Sequence, residues 1–279
     1  MHPAAPTELT ELIAAYSATG QAILDLGFTC HEDDFTKPTQ CPGWTVKDQF
    51  SHVVGLEDIF NGGPTPEVEV PDYTWLRSDF GRFMEAHVEA RRGTPGPEVV
   101  AQWQELFPQR VAALHQLLAD PETIVETAVG PRRPVDLVSL RIVDMWCHEQ
   151  DIRQALNRPG NLDTPAAALF TGRLMAALPI RAAKAGLPIG TTVIVETTGP
   201  VNARSGVRVI EDENGKPYGE ELFSGDSHDE SADVTSIRMT TEEFTRRGAG
   251  RIATEDLRYH VEGDEDVARQ VLDAMAVTP

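Results

Sequence analysis

Residues 41–52 read Cys41-Pro-Gly-Trp-Thr-Val-Lys-Asp-Gln-Phe-Ser-His52 and combine a turn, a helix start and a histidine. Pro42-Gly43 is typical of a turn, and Thr45 followed three residues later by Asp48 is an acidic variant of the capping box. Apolar residues then recur at helical spacing, at Val46, Phe50, Val53, Val54 and Phe60. The stretch therefore predicts an amphipathic helix that carries His52 about two turns from its start.

Helical periodicity continues on both sides of this stretch. The same spacing of apolar residues predicts helices at residues 7–28, 75–91, 98–118, 135–156 and 163–184. Pro108 lies inside one of them, and because proline cannot donate the backbone bond of a helix, we expect a kink or a break there. Residues 123–129 fit a short extended segment.

The pattern changes after Gly190 to short segments rich in β-branched residues. Strands are predicted at 191–197, 206–210, 234–239 and 257–261, and helices at 240–245 and 264–275. We therefore expect an all-α four-helix bundle at residues 1–160, a helical connection at 161–189 and a small α+β domain at 190–279.

Composition excludes several classes of function. The net charge of −20 argues against a nucleic-acid partner, because phosphate binding needs a basic surface. No apolar run approaches the roughly 18 to 20 residues of a membrane span, and the first residues lack the pattern of a secretory signal. Three cysteines at irregular spacing fit reduced thiols. The expected location is the cytoplasm.

A possible site lies about ninety residues beyond His52. Asp144 and His148 are four residues apart, so on a helix they share one face, and Asp151 continues the row. If His52 faced this row, two nitrogens and one carboxylate would surround a cation and leave a fourth position open, as in catalytic zinc sites. The donors also suit iron, nickel or manganese.

The same residues allow ordinary structural roles. A polar row on a helix can face solvent, a histidine can be buried with a hydrogen-bond partner, and Asp151 can form a salt bridge with Arg153. If these residues bind a metal, Asp151 or Glu149 could orient a ligand histidine through the ring nitrogen that does not contact the metal.

Two groups of motifs carry a resemblance to a known family. The run Thr39–His52 and the run Asp144-Met-Trp-Cys-His-Glu-Gln-Asp-Ile-Arg153, together with residues 239–251 and 261–272, resemble the mycothiol-dependent maleylpyruvate isomerase family of actinobacteria. The resemblance covers nearly the whole chain. It implies a DinB-like amino-terminal bundle and a carboxy-terminal domain similar to sterol carrier proteins.

The resemblance also implies a site and its chemistry. His52, Asp144 and His148 correspond to the family's ligands for a divalent metal, usually assigned as zinc, although the isomerases have glutamate where this chain has Asp144. A thiol bound at a Lewis-acidic metal is deprotonated, so the expected cofactors are the metal and mycothiol. The thiolate would attack an electrophile, either reversibly for cis-trans isomerisation or permanently as an S-transferase.

Further residues are candidates for binding mycothiol or a substrate carboxylate. Arg251, in a family-like Gly-Ala-Gly-Arg motif, is expected to take part in catalysis, and Arg82 and Arg132 to bind the cofactor, because guanidinium matches carboxylate geometry. Trp44 could line the pocket or pack the bundle. The expected partners are a small-molecule thiol and an electrophile, with the protein a monomer or homodimer.

Two other functions remain open at this point. The chain could be a non-catalytic protein that binds a small molecule or lipid, or a hydrolase that uses the same metal to activate water.

Overall fold

The computed structural model describes residues 2–127, 130–222 and 234–277. Cα packing divides the chain into two compact units, one of residues 6–161 and one of residues 162–279 with the first five residues.

The first unit is a helical bundle. Four long helices form a closed ring in which α1 packs on α5, α5 on α2, α2 on α4 and α4 on α1, and the shorter α3 packs on α2. The predicted four-helix bundle is thus confirmed. The helices are α1 (Leu9–Phe28), α2 (Val46–Phe60), α3 (Asp79–Glu89), α4 (Gly96–Gln116) and α5 (Pro134–Ala155).

Local sequence sets where the two helices of the predicted site begin. In α2, the Thr45 backbone N–H donates to Asp48 Oδ2 at 2.8 Å, which closes the predicted capping box. In α5, Pro134 occupies the first turn, where its missing N–H costs nothing. Side chains such as Trp103, Trp146 and Phe50 fill the core between the helices.

Three predictions for this unit need correction or qualification. Helix α3 begins only at Asp79, because the Ser78 hydroxyl caps it by accepting from Gly81 N–H at 3.0 Å. Helix α4 runs unbroken through Pro108, so the expected break is wrong, since packing on two neighbours outweighs one lost backbone bond. Of the predicted extended segment 123–129, Val125 pairs with Arg132, and residues 128 and 129 lie outside the described residues.

The second unit is a five-stranded sheet with helices. The strand order is β3-β2-β1-β4-β5, with β1 parallel to β4 and the other neighbours antiparallel. The predicted α+β architecture is confirmed. The elements are α6 (Pro165–Lys184), β1 (Thr192–Thr198), β2 (Ala203–Glu211), β3 (Pro217–Leu222), β4 (Val234–Thr240), α7 (Thr241–Gly248), β5 (Tyr259–Glu262) and α8 (Glu265–Ala274).

One strand was not predicted. Strand β3 has the sequence Pro-Tyr-Gly-Glu-Glu-Leu, which lacks β-branched residues, and it forms through antiparallel pairing with β2. Helix α6, which lies in the predicted helical connection, packs on β2 and β3. Among the described helices, none combines the length and the apolar character that crossing a membrane requires.

Candidate metal centre

The loop before α2 holds His52 in a defined position. Gly43 has a φ of 75°, a left-handed conformation that favours glycine, and the ring of Trp75 lies where a side chain at this position would be. With the turn and the cap fixed, His52 lies two turns into α2 and is 3% exposed. It faces α5.

The structure brings the three predicted ligands together. His52 Nε2 lies 3.3 Å from Asp144 Oδ2, and His148 Nε2 lies 3.7 Å from Asp144 Oδ1. The two imidazole centroids are 4.3 Å apart, and one donor atom from each residue lies within 4.8 Å of the others. The Asp144 side chain is 29% exposed whereas both histidines are buried, so the cluster is accessible from the carboxylate side.

The donor set fits a divalent metal. For bonds of the length found in zinc sites, the donor atoms of a tetrahedral site lie about 3.3 Å apart. Asp144 Oδ2 lies 3.3 Å from His52 Nε2, and the other carboxylate oxygen, Oδ1, lies 3.7 Å from His148 Nε2. The short side chain of Asp144 therefore brings one oxygen near each histidine, at distances close to those between the ligands of a shared cation.

Electrostatics keep the carboxylate ionised. Burial alone would raise the pKa of the Asp144 carboxyl, but Arg141, His52 and His148 together hold this pKa well below its usual value. Arg141 Nη1 donates to Asp144 Oδ2 at 3.0 Å, so Arg141 is the strongest of these influences. The sequence reasoning did not single out Arg141, although its position three residues before Asp144 on the same helix is the signal that could have found it.

The two histidines differ in their proton affinity. Burial and the nearby His148 lower the pKa of His52 to about 4, so this imidazole is neutral at physiological pH. For His148 the effect of burial is overcome by Asp144 and Asp151, which raise its pKa. His148 therefore holds a proton more firmly than His52 does. A metal that binds both histidines must displace this proton.

His148 is oriented by a residue that the sequence reasoning missed. Its Nδ1 lies 2.6 Å from Gln49 Oε1 and 3.7 Å from Asp151 Oδ2. Glu149, the other candidate for this role, accepts instead from Arg153 Nε and from Asn161 Nδ2. Gln49 lies one helical turn before His52, and this spacing was the only signal of its role.

Trp44 forms one wall of the cluster. Its ring centroid lies 5.1 Å from that of His52 and 5.8 Å from that of His148. The indole Nε1–H donates to Glu85 Oε2 at 2.8 Å, and Trp75 donates to the same oxygen at 3.3 Å. Trp44 is thus packed in the bundle and also lies next to the proposed ligands.

The three arginines predicted for catalysis or cofactor binding each donate to groups of the protein itself. Arg82 donates to the carbonyl of Val70 at 2.8 Å and to Asp72 at 2.7 Å. Arg132 donates to the carbonyl of Pro131. Arg251 belongs to the second unit, where its Nη1 donates to the carbonyl of Ala249 at 3.0 Å.

Comparison with known proteins gives one family match and two solved structures with a similar fold. A family model described as the mycothiol maleylpyruvate isomerase N-terminal domain matches residues 16–153. Two solved structures, a mycothiol-dependent maleylpyruvate isomerase and its histidine-to-alanine mutant, are similar over 90% of this chain and 92% of theirs. Their TM-scores are 0.53 and their identities 13% and 11%, so this likeness concerns the fold.

No curated protein matches the sequence. The bundle carries the family's N-terminal domain, and in the described residues it is followed by an α+β domain, an architecture similar to that of the solved isomerase. Through residues 16–153, the chain belongs to the mycothiol maleylpyruvate isomerase family.

Proposed function

We propose that the protein is a metal-dependent enzyme that uses mycothiol, either to transfer this thiol to an electrophile or to isomerise a maleylpyruvate-like substrate. The observation that carries the proposal is the cluster of His52, Asp144 and His148. The Nε2 atom of His52 lies 3.3 Å from one oxygen of the Asp144 carboxylate, and the Nε2 atom of His148 lies 3.7 Å from the other. Family membership supports mycothiol as the thiol. We propose zinc as the metal and the cytoplasm as the location.

A divalent metal bound at this cluster supplies Lewis acidity, which lowers the pKa of a coordinated thiol so that it ionises at neutral pH. The chain's own residues prepare the site for this. The two imidazoles and the Asp144 carboxylate offer their lone pairs, and the exposed edge of Asp144 leaves one side accessible. Trp44 packs against both histidines and keeps water from that side of the cluster.

The reaction proposed for the thiol needs no redox partner. The sulfur electron pair forms a C–S bond with an electron-poor carbon of the substrate, and the electrons displaced from that carbon leave with a departing group or accumulate on a conjugated carbonyl. In transfer, the C–S bond remains. In isomerisation, the former double bond rotates as a single bond, and breaking the C–S bond then restores the alkene and the thiolate.

The arginine residues predicted for catalysis and cofactor binding keep those roles as proposals. Arg251, Arg82 and Arg132 carry guanidinium groups that match a substrate carboxylate or the polar groups of mycothiol. Arg82 would have to exchange its contact with Asp72, whose side chain is 95% exposed, and such exposed pairs cost little to break.

The test combines metal analysis with turnover. We expect stoichiometric zinc in the purified protein, mycothiol-dependent consumption of maleylpyruvate or of monobromobimane, and loss of both metal and turnover in His52→Ala and His148→Ala. His115→Ala, which removes an exposed histidine of α4, is the matched control and should behave like the wild type. A protein that binds no metal, or variants that keep full thiol-transfer activity, would refute the proposal.

The same measurements separate the remaining alternatives. Metal-dependent hydrolysis that is independent of added mycothiol would indicate the hydrolase. Binding of apolar ligands without metal or turnover would indicate a binding protein.

A further inference from the structure

A chain of hydrogen bonds connects His148 to the loop before α2. His148 Nδ1 lies 2.6 Å from Gln49 Oε1, and Gln49 Nε2 donates to Thr39 Oγ1 at 2.7 Å. Thr39 Oγ1 in turn donates to the backbone carbonyl of Trp44 at 2.9 Å, and it accepts from the Cys41 backbone N–H at 3.2 Å. Gln49 is fully buried.

The direction of the chain follows from its fixed end. A backbone carbonyl can only accept, so the single hydrogen of the Thr39 hydroxyl points to Trp44. The group of Gln49 that faces this hydroxyl must then be the donor, its NH₂, and the amide oxygen must face His148. Since an amide oxygen only accepts, His148 carries its proton on Nδ1, and the lone pair of Nε2 faces Asp144 and His52.

A second oxygen supports the same assignment. Asp151 Oδ2 lies 3.7 Å from His148 Nδ1, on the side where a proton on this nitrogen would point. If these hydrogen bonds ran in the opposite direction, the Thr39 hydroxyl would donate to the Gln49 amide oxygen. The Gln49 NH₂ group would then face His148 Nδ1. The bond from the Thr39 hydroxyl to the Trp44 carbonyl would be lost, and the Nε2 of a neutral His148 would be protonated and unable to bind a metal.

We infer that Gln49 and Thr39 are positioning residues that hold His148 in the tautomer able to bind the metal through Nε2. The inference rests on the proposed function for the role of the metal, but the position of the proton belongs to the protein itself. His52 has no equivalent support, because its Nδ1 is buried with no hydrogen-bond partner among the described residues. Helix α2 thus supplies one ligand, His52, and orients the other through Gln49.

The first arm of the test measures the proton directly. ¹⁵N NMR of histidine side chains in metal-free full-length protein, at a pH high enough for neutral imidazole, should show the proton of His148 on Nδ1, with His148→Ala identifying the signal. A proton on Nε2 in the wild type would overturn the inference. This arm does not depend on metal binding, so it remains decisive even if the proposed function fails.

The second arm measures zinc affinity in two pairs of variants. Gln49→Leu removes the acceptor and should weaken zinc binding about 10- to 100-fold, which is the usual effect of losing such a partner. Gln49→Glu keeps an acceptor towards Nδ1 and should retain more affinity than Gln49→Leu. Thr39→Val should weaken binding and raise the share of the Nε2–H tautomer, whereas Thr39→Ser should match the wild type.

Circular dichroism shows whether each variant is folded. Because Thr39 is only partly buried, its variants keep the test valid if Gln49→Leu does not fold. Wild-type zinc affinity and an unchanged tautomer in both Thr39→Val and a folded Gln49→Leu would overturn the inference.

Discussion

The carboxylate of Asp144 contacts both an arginine and the two candidate histidine ligands. Its Oδ2 accepts from Arg141 at 3.0 Å while facing His52, and its Oδ1 faces His148. A buried carboxylate needs a cation nearby to remain ionised, and Arg141 provides this without occupying the position between the two histidines. The shorter side chain thus remains compatible with a metal because its neighbours on α2 and α5 approach closely.

His87 is a buried histidine outside the candidate site whose protonation should lower stability in acid. Its ring is 1% exposed, neither nitrogen has a partner among the described residues, and burial together with Arg91 lowers its pKa to about 4. Above about pH 6.5, the ring is neutral in the folded and unfolded states and contributes no pH dependence. Between about pH 6.5 and pH 4, only the unfolded state takes up the proton, so stability falls with decreasing pH.

We expect His87→Leu to lose less stability than the wild type on acidification. Each pH unit in this window costs the wild type about 1.4 kcal/mol from this ring, so the difference should reach about 2.5 kcal/mol near pH 4.5. Urea unfolding of metal-free protein from about pH 7.5 to about pH 4.5 measures it. His115→Leu, at an exposed position, should follow the wild type. Parallel curves for the wild type and His87→Leu would contradict the assignment.

At the scale of elements, one buried carboxylate connects all four helices of the bundle. Glu57 of α2 accepts from Tyr16 of α1 at 2.8 Å, from Arg110 of α4 at 2.9 Å and from Arg141 of α5 at 2.8 Å. The two arginines hold the pKa of Glu57 low against the effect of burial. Because Arg141 also donates to Asp144, this network couples the packing of the bundle to the candidate site.

Arg141→Met should destabilise the bundle by about 3 kcal/mol, since removing one member of a buried ion pair leaves its partners short of a compensating charge. Adding Glu57→Gln to this variant should recover part of the loss, because the amide no longer carries the buried charge. Chemical denaturation in the presence of a chelator measures both.

The control for this prediction lies on the same helix. Arg133, at the start of α5, pairs with Asp136 through side chains that are about half exposed, so Arg133→Met should cost at most about 1 kcal/mol. If Arg141→Met cost no more than Arg133→Met, the network would not be a stabilising centre of the bundle.

The sequence predicted those parts of the fold that depend on local signals. The cap at Thr45 and the periodicity of α2 and α5 are local, and they suffice to place His52, Asp144 and His148 on the helices that carry them. Strand β3 depends on pairing with β2, and the unbroken α4 depends on packing around Pro108, so neither follows from local patterns. Gln49 and Arg141 were missed because their roles depend on which side chains face them from another helix.

At the scale of the whole molecule, the candidate metal ligands and the sheet belong to different units of the described chain. The cluster of His52, Asp144 and His148 is built within the unit of residues 6–161. The sheet, with α6 to α8, forms the core of the other unit. Since each unit has its own core, a ligand that contacts only one of them should stabilise that unit selectively.

Zinc should therefore protect the bundle and leave the sheet unchanged. Zinc at about a thousand times its dissociation constant adds about 4 kcal/mol to the stability of the state that binds it. Hydrogen exchange of the full-length protein should become slower in peptides from α2 and α5, while peptides from β1, β2 and β4 exchange at the same rate with or without zinc. His148→Ala should show no protection in either unit. Equal protection of the sheet and the bundle would contradict a stabilisation that is confined to the bundle.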